Sequence, residues 1–202
     1  RPGRLLRASD FDDSLGEANN PEWKTIVRDA ATGEFVAPNG SIGFRWGEDG
    51  KWNLEQKAQG TDIDTQLSFL DDRDEVVSVA FPHFAEDEPD ALARNVPVHT
   101  LEIDGESVPV TTVFDLQAAQ YGVDRGLGGG NVALSYEDAE VAYTPAWAEK
   151  VTGVKRADLI RTGREFADNA AKTHGKSMVI LGAAINHWYH NDMNYRAIMN
   201  LL

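Results

Sequence analysis

From Arg156 to the end of the sequence, one order of elements limits the folds open to this chain: an amphipathic helix, a glycine, a short apolar run and a second helix. Leu159, Ile160, Gly163, Phe166, Ala167 and Ala170 recur one, three or four positions apart, so a helix over Arg156–Thr173 gathers them on a single face. Gly175 stands where a glycine commonly ends a helix. Ser177–Gly182 is apolar without alternation, which predicts a strand covered on both faces. A polar-aromatic stretch, Asn186–Asn191, leads into a helix from about Asp192 to Leu202. Helix, buried strand, loop, helix is the order of a doubly wound α/β layer.

The sequence up to Thr112 is different in kind and reads as β-rich. Lys24–Arg28 alternates and turns through Ala31-Thr32-Gly33 toward Phe35-Val36. Ile42–Trp46 and Lys51–Leu54 flank Glu48-Asp49-Gly50, a hairpin signal, and Thr65–Leu70 and Val76–Phe81 are two more strand candidates. His99–Ile103 and Val108–Val113 flank Asp104-Gly105, a pair suited to the positive φ of a type I′ turn. Ala85–Asn95 reads as a linker. Beyond it, Thr111 or Thr112 can cap a short helix through Tyr121. Thr144-Pro145 then opens another, which Gly153 stops. The chain is therefore α/β in class, or α+β taken whole, with a β-rich appendage over 1–112 and an α/β segment over 113–202.

Charge and cysteine content narrow the functions. The formal net charge is −14, and a surface of that sign repels phosphate, which argues against nucleic acid as a partner. With 0 Cys, the chain supplies no thiolate for zinc, for an iron–sulfur cluster or for nucleophilic catalysis. The acidic runs Asp71–Glu75 and Glu86–Asp90 lack the ligand spacing and central glycine of a calcium loop and read as solvated loops. The first residue is Arg1, and the last helix carries no stop signal, so an internal piece of a larger protein is the expectation.

In open α/β sheets, ligands lie beyond the carboxyl ends of the strands, which here is Gly182–Asn191. Gly182, Ala183 and Ala184 let a ligand approach the backbone. Asn186, His187, Trp188 and His190 offer hydrogen bonds and a stacking face. The helix starting at Asn191-Asp192 could favour an anion. The same side chains could equally pack beneath the loop. His187 and His190 stand three apart, as two metal ligands on a helix might, but only Asp192 is near as a third, so no metal is assigned. The glycines of Gly126–Gly130 follow a helix and are not followed by Lys-Ser/Thr, so neither nucleotide-loop mechanism applies. No residue stands out as catalytic: no Ser–His triad pattern and no carboxylate pair in an apolar setting are present.

Longer words in the sequence carry more. Tyr143–Val154, Arg164–Ala170 and Asn186–Arg196, with Pro38–Gly47 and Gly50–Glu55 upstream, are very similar to stretches of the alpha subunits of respiratory, membrane-bound nitrate reductases. The resemblance runs in order over nearly the whole chain. It implies the dimethyl-sulfoxide-reductase-like fold of molybdopterin oxidoreductases, reduction of nitrate to nitrite with electrons from quinol, and a molybdenum bis(molybdopterin guanine dinucleotide) cofactor. It also implies one 4Fe–4S cluster. The cluster ligands and the aspartate ligand of molybdenum lie upstream of the matched region in that family, so no residue here takes those roles. The implied partners are an iron–sulfur beta subunit, a haem-bearing membrane gamma subunit and an assembly chaperone. The implied place is a membrane-associated complex, on its cytoplasmic face or, in some archaea, the outer one. By that analogy Gly182, Ala184, Asn186, His187, Trp188 and His190 border the cofactor, and the β-rich half is an insertion. The alternatives are a structural or assembly segment that only contacts sister subunits or a cofactor-loading chaperone, and a related molybdenum enzyme acting on another oxyanion such as selenate or chlorate.

Overall fold

The structure, a computed structural model, describes residues 3–11, 24–38, 56–82 and 91–201. The Ile42–Trp46 and Lys51–Leu54 hairpin, His83 and the Glu86–Asp90 run lie outside the described residues. The chain divides into two compact units, Arg1–Val151 and Thr152–Leu202. Among the described residues no helix is long and apolar enough to cross a membrane.

The first unit is built from small antiparallel sheets. A 3-10 turn at Ala8–Asp10 precedes β1 (Val27–Arg28), which pairs with β2 (Phe35–Val36). The turn between them forms because Asp29 accepts hydrogen bonds from the Thr32 hydroxyl (2.8 Å) and the Ala31 N–H (3.3 Å), a side-chain closure typical of Asp. β3 (Lys57–Ala58) and β4 (Thr61–Asp62) form a second short hairpin.

The principal sheet orders β5 (Glu75–Pro82), β6 (Ala91–Ile103) and β7 (Glu106–Val110). The first part of β6 pairs with β5, from Ala91↔Pro82 to Val98↔Glu75. Its last part pairs with β7, from His99↔Val110 to Ile103↔Glu106. This handover explains how Pro97 is accommodated in the middle of a strand. The β7 ladder begins two residues later, and the Pro97 carbonyl accepts the Thr111 hydroxyl at 2.7 Å. The hairpin turns at Asp104 (φ 53°) and Gly105 (φ 80°), both in the left-handed region that a type I′ turn needs.

α1 (Val113–Gln120) follows, and the Thr112 hydroxyl accepts the Asp115 N–H at 3.0 Å to cap it. Phe81, Val96, Val98 and Ala119 make the core, with Val77, Val79 and Leu116 packed against it. α2 (Pro145–Thr152) starts as its sequence signal predicts: the Thr144 hydroxyl accepts the Trp147 N–H at 3.0 Å, and Gly153 (φ 76°) lies beyond its end.

The second unit holds α3 (Arg156–Thr173), α4 (Ala183–Asn186) and α5 (Asn191–Met199). α3 has the predicted bounds. The left-handed turn at its end is taken first by His174 (φ 55°) and then by Gly175 (φ 85°).

Three expectations are corrected. Thr65–Leu70 is not a strand: it makes one bridge, Asp29↔Thr65, because its side chains and amides bond elsewhere, as where Leu70 N–H donates to the Ser68 hydroxyl at 3.0 Å. Ala91–Asn95 is strand and not linker. Arg94, Val96, Pro97, Val98 and His99 are buried along β6, and the acidic residues before it hid the strand in the sequence. Ser177–Gly182 is extended but forms no strand, because a strand exists only with a neighbour and none lies beside it among the described residues. Among the described residues the sheets are all antiparallel, and the mixture of helices with small sheets is compatible with the α/β class.

Candidate functional site

The loop chosen from the sequence, Gly182–Asn191, lies in the second unit and is entered from the C-terminal turn of α3. Asn169 Nδ2 donates to the Lys176 carbonyl (3.1 Å) and to the Ser177 hydroxyl (2.9 Å). That hydroxyl in turn donates to the Phe166 carbonyl at 3.1 Å. These bonds tie Lys176 and Ser177 back to α3.

Gly182 then begins the single turn of α4, with the Ile185 N–H donating to its carbonyl at 3.1 Å. Its φ of −119° suits any residue, and a Cβ there would meet nothing within 4 Å. Among the described residues nothing demands glycine at 182, and the space beside it is open. Ala184 is exposed in the same turn, and the backbone of Asn186 closes it.

His187, Trp188, Tyr189 and His190 form the bend before α5. Trp188 and Tyr189 are 71% and 90% exposed, so they do not pack under the loop. The Tyr189 and His190 rings lie 4.1 Å apart by centroid. His190 takes a left-handed φ of 57°, and its carbonyl accepts the Met193 N–H at 3.0 Å. Among the described residues no group of three His, Cys, Asp or Glu is placed to hold a metal ion. Asp192 in the first turn of α5 sets a negative charge at the end of the helix where an anion would otherwise be favoured. The loop therefore presents open backbone, two imidazoles and an exposed indole: a surface for stacking and hydrogen bonding to a large ligand.

The first unit contains a constellation that the sequence reading missed. Asp115, fully buried at the start of α1, accepts the Ser68 hydroxyl (2.7 Å) and the Phe69 N–H (2.8 Å) and pairs with Arg125. Arg125 also donates to the Ser68 hydroxyl at 2.5 Å and lies over the Phe114 ring. Arg94, only 2% exposed, donates to the carbonyls of Ala119 (3.1 Å) and Gln120 (2.7 Å) at the end of α1, and to that of Asn131 (2.7 Å). Its burial lowers its pKa. Here the guanidinium takes the place of solvent at a helix C-terminus, where carbonyls lack partners and positive charge is favoured. These residues border a cavity of about 20 Å³, the room of a single water and far below what a cofactor needs.

A second cluster surrounds His99. Its Nδ1 lies 3.2 Å from Asp74, its Nε2 is buried without a hydrogen-bond partner among the described residues and 3.8 Å from the Asp72 carboxylate, and its ring meets Phe69 edge-on at 4.5 Å. The Thr100 N–H bonded to Asp74, and the Arg28 guanidinium bonded to Asp72, hold both carboxyls below the ordinary carboxylate pKa. The partners in both clusters are 10 to 57 residues apart in sequence, so no local motif announces them.

No family model matches the chain. It is 54% identical over 212 residues, 99% of its own length, to the respiratory nitrate reductase 1 alpha chain of Escherichia coli (strain K12). It is 42% identical over 202 residues to the nitrate reductase alpha chain of Bacillus subtilis (strain 168). A more distant relative, the perchlorate reductase subunit alpha of Dechloromonas aromatica (strain RCB), is 27% identical over 199 residues. The chain spans 17% of the length of the first of these and 16% of the others. The resemblance to nitrate reductase alpha subunits thus extends along nearly the entire sequence.

Proposed function

We propose that this chain is an internal segment of the catalytic alpha subunit of a respiratory nitrate reductase. In the complete subunit, nitrate is reduced to nitrite with electrons that come from quinol through an iron–sulfur beta subunit and a haem-bearing gamma subunit. The observation that carries the reading is the 54% identity sustained over 99% of the chain. The alpha-chain names of the relatives support a multi-subunit complex. The cytoplasmic face of the membrane, or the outer face if the source is archaeal, and an assembly chaperone among the partners are part of the same proposal, carried by the family resemblance alone. The segment belongs, on this reading, to the dimethyl-sulfoxide-reductase-like fold, with residues 1–112 as a β-rich insertion and 113–202 as part of a cofactor-binding domain.

The Gly182–His190 loop fits a molybdenum bis(molybdopterin guanine dinucleotide) cofactor in its chemistry. It has open backbone at Gly182 and Ala184, an exposed indole at Trp188, and exposed imidazoles at His187 and His190. Asn186 is proposed with them. When bound, the cofactor supplies a metal that exchanges an oxygen atom with the substrate. The residues of this chain hold and orient its organic part. They do not fit the 4Fe–4S cluster of the complete subunit, since the chain has 0 Cys.

The test is the full-length subunit carrying His187→Ala with His190→Ala. Molybdenum and pterin per subunit should fall several-fold together, along with nitrite formation from a reduced viologen dye. Full cofactor occupancy in the double variant removes these residues from the site. Reduction of perchlorate or chlorate without nitrite formation from nitrate, in the unsubstituted subunit, overturns the nitrate assignment in favour of the oxyanion reductase reading.

A further inference from the structure

Tyr143 takes a left-handed φ of 76°. Asp, Asn and His enter that region readily, but a bulky tyrosine there is a strained outlier, of the kind that persists only when its surroundings hold it. Here they do: Ala142, Thr144 and Ala146 on either side are all buried, and the Thr144 hydroxyl donates to the Asp138 carbonyl. The turn sets the Tyr143 ring between two others. Tyr121, at the end of α1, lies 5.3 Å away by centroid and edge-on at 78°. Trp147, in the first turn of α2, lies 5.5 Å away at 53°. Both are favourable aromatic geometries. Packing at the start of a helix accounts for the second contact, since Tyr143 precedes the capping Thr144 and an apolar residue there commonly rests on the first turns. It does not account for a phenol at that place, for the strained φ, or for Tyr121 on a different helix. Trp147 and Tyr143 are half-buried and Tyr121 is exposed. Three oxidisable rings thus run in contact from a half-buried indole to a phenol in solvent.

We propose that Trp147, Tyr143 and Tyr121 form a relay that carries one-electron oxidising equivalents from the half-buried indole to the surface. The oxidant is a diffusible one-electron acceptor of the nitrogen-oxide or oxygen-radical class. It takes one electron from Trp147 and is itself reduced. Tyr143 refills Trp147 with an electron, and Tyr121 refills Tyr143, so both inner rings return to their starting states and Tyr143 keeps its phenolic proton over the cycle. Tyr121 gives its own phenolic proton to water and is left as a neutral phenoxyl radical. A soluble thiol restores it by donating a hydrogen atom. The direction is outward because an indole radical cation is a stronger oxidant than a neutral phenoxyl radical. All three rings lie in the first unit, apart from the Gly182–His190 loop, so the relay does not rest on the nitrate reductase reading.

The experiment is photo-oxidation of the purified full-length subunit by illuminated ruthenium tris(bipyridine) with persulfate, a one-electron oxidant, with the products mapped by peptide mass spectrometry. In the parent, products should gather on Tyr121 while Trp147 is spared. Tyr143→Phe keeps the ring in place and removes only the oxidisable phenol. Oxidation of Trp147 should then rise several-fold, while that of Trp188 in the second unit stays constant. Tyr121→Phe leaves the strained turn untouched and should move the products to Tyr143. Unchanged oxidation of Trp147 in Tyr143→Phe would overturn the relay. So would an equal rise at Trp188, which marks general loosening of the protein, or a Tyr121→Phe variant in which Tyr143 is no more oxidised than in the parent.

Discussion

Replacing Asp115 by Ala tests whether the first unit is held by its core or by its buried charge. The side chain is fully buried and receives three donors: the Ser68 hydroxyl, the Phe69 N–H and the Arg125 guanidinium. The substitution strands the Phe69 N–H in the interior and leaves the Arg125 charge, 12% exposed, without its carboxylate. Removing one partner of a buried ion pair costs about 3–5 kcal/mol, and little of this is recovered because the site cannot collapse around an arginine. At roughly 2–4 °C per kcal/mol for a chain of this size, the melting temperature should drop by on the order of 10 °C. Asp115→Asn retains shape and one acceptor oxygen but not the charge, and should fall between the parent and the Ala variant. Glu140→Ala is the surface control. Its pair with Lys150 at 3.1 Å joins side chains 84% and 61% exposed, so its loss costs under about 1 kcal/mol. Urea unfolding followed by near-ultraviolet circular dichroism measures all three. If Asp115→Ala costs no more than Glu140→Ala, the constellation contributes nothing and the apolar core alone holds α1 to the 66–70 segment.

Gly122→Ala should destabilise by about 1–3 kcal/mol, because φ is +68° and the new Cβ would lie 3.1 Å from the buried Arg94 guanidinium; thermal melting checks it, and an unchanged melting point would show that Arg94 is free to move. Acid should weaken the first unit from about pH 4 downward. Asp29, Asp72 and Asp74 all have folded pKa values below the ordinary 3.8, so their stabilising effect is complete above that value and is lost as pH falls through the lower folded values. Asp72→Asn should flatten that acid limb in a pH series of urea midpoints. The 202-residue chain by itself should self-associate more in 0.3 M salt than at low salt, because Met178, Ile180, Met199 and Leu201 are exposed and salt screens the −14 charge over about 10 Å. Sedimentation at both ionic strengths decides it, with a monomer in both as the contrary result.

What the sequence reveals of this fold depends on how far each structural cause reaches along the chain. Helix boundaries were readable because their causes are local: a hydroxyl three residues before the N–H that it accepts, as at Thr112 and Thr144, or a glycine just past the last turn, as at Gly153. The Asp104-Gly105 hairpin was readable for the same reason. Asp115, Arg94 and His99 were not, since each is defined by partners on another element, and a lone Asp or Arg in sequence carries no sign of burial. The Gly182–His190 loop lies between these cases. Residue types suggested it, and the structure adds that Trp188 and Tyr189 stand in solvent, which the packing alternative does not allow within this chain.

The apolar run Ser177–Gly182 shows the same rule from the opposite direction. Its composition describes a strand buried on both faces, yet Met178 and Ile180 are exposed and the backbone of Met178–Leu181 is unpaired among the described residues. A sequence pattern records the surroundings in which a segment was selected, and not only those available within 202 residues. Where an element such as α3 carries its own reasons to form, pattern and structure agree. Where it depends on neighbours supplied from elsewhere, the pattern persists and the structure falls short of it. The mismatch at Met178 and Ile180 is what the proposed reading of this chain as a segment of a longer subunit predicts: two apolar side chains selected for burial stand 76% and 83% exposed when the segment is taken by itself.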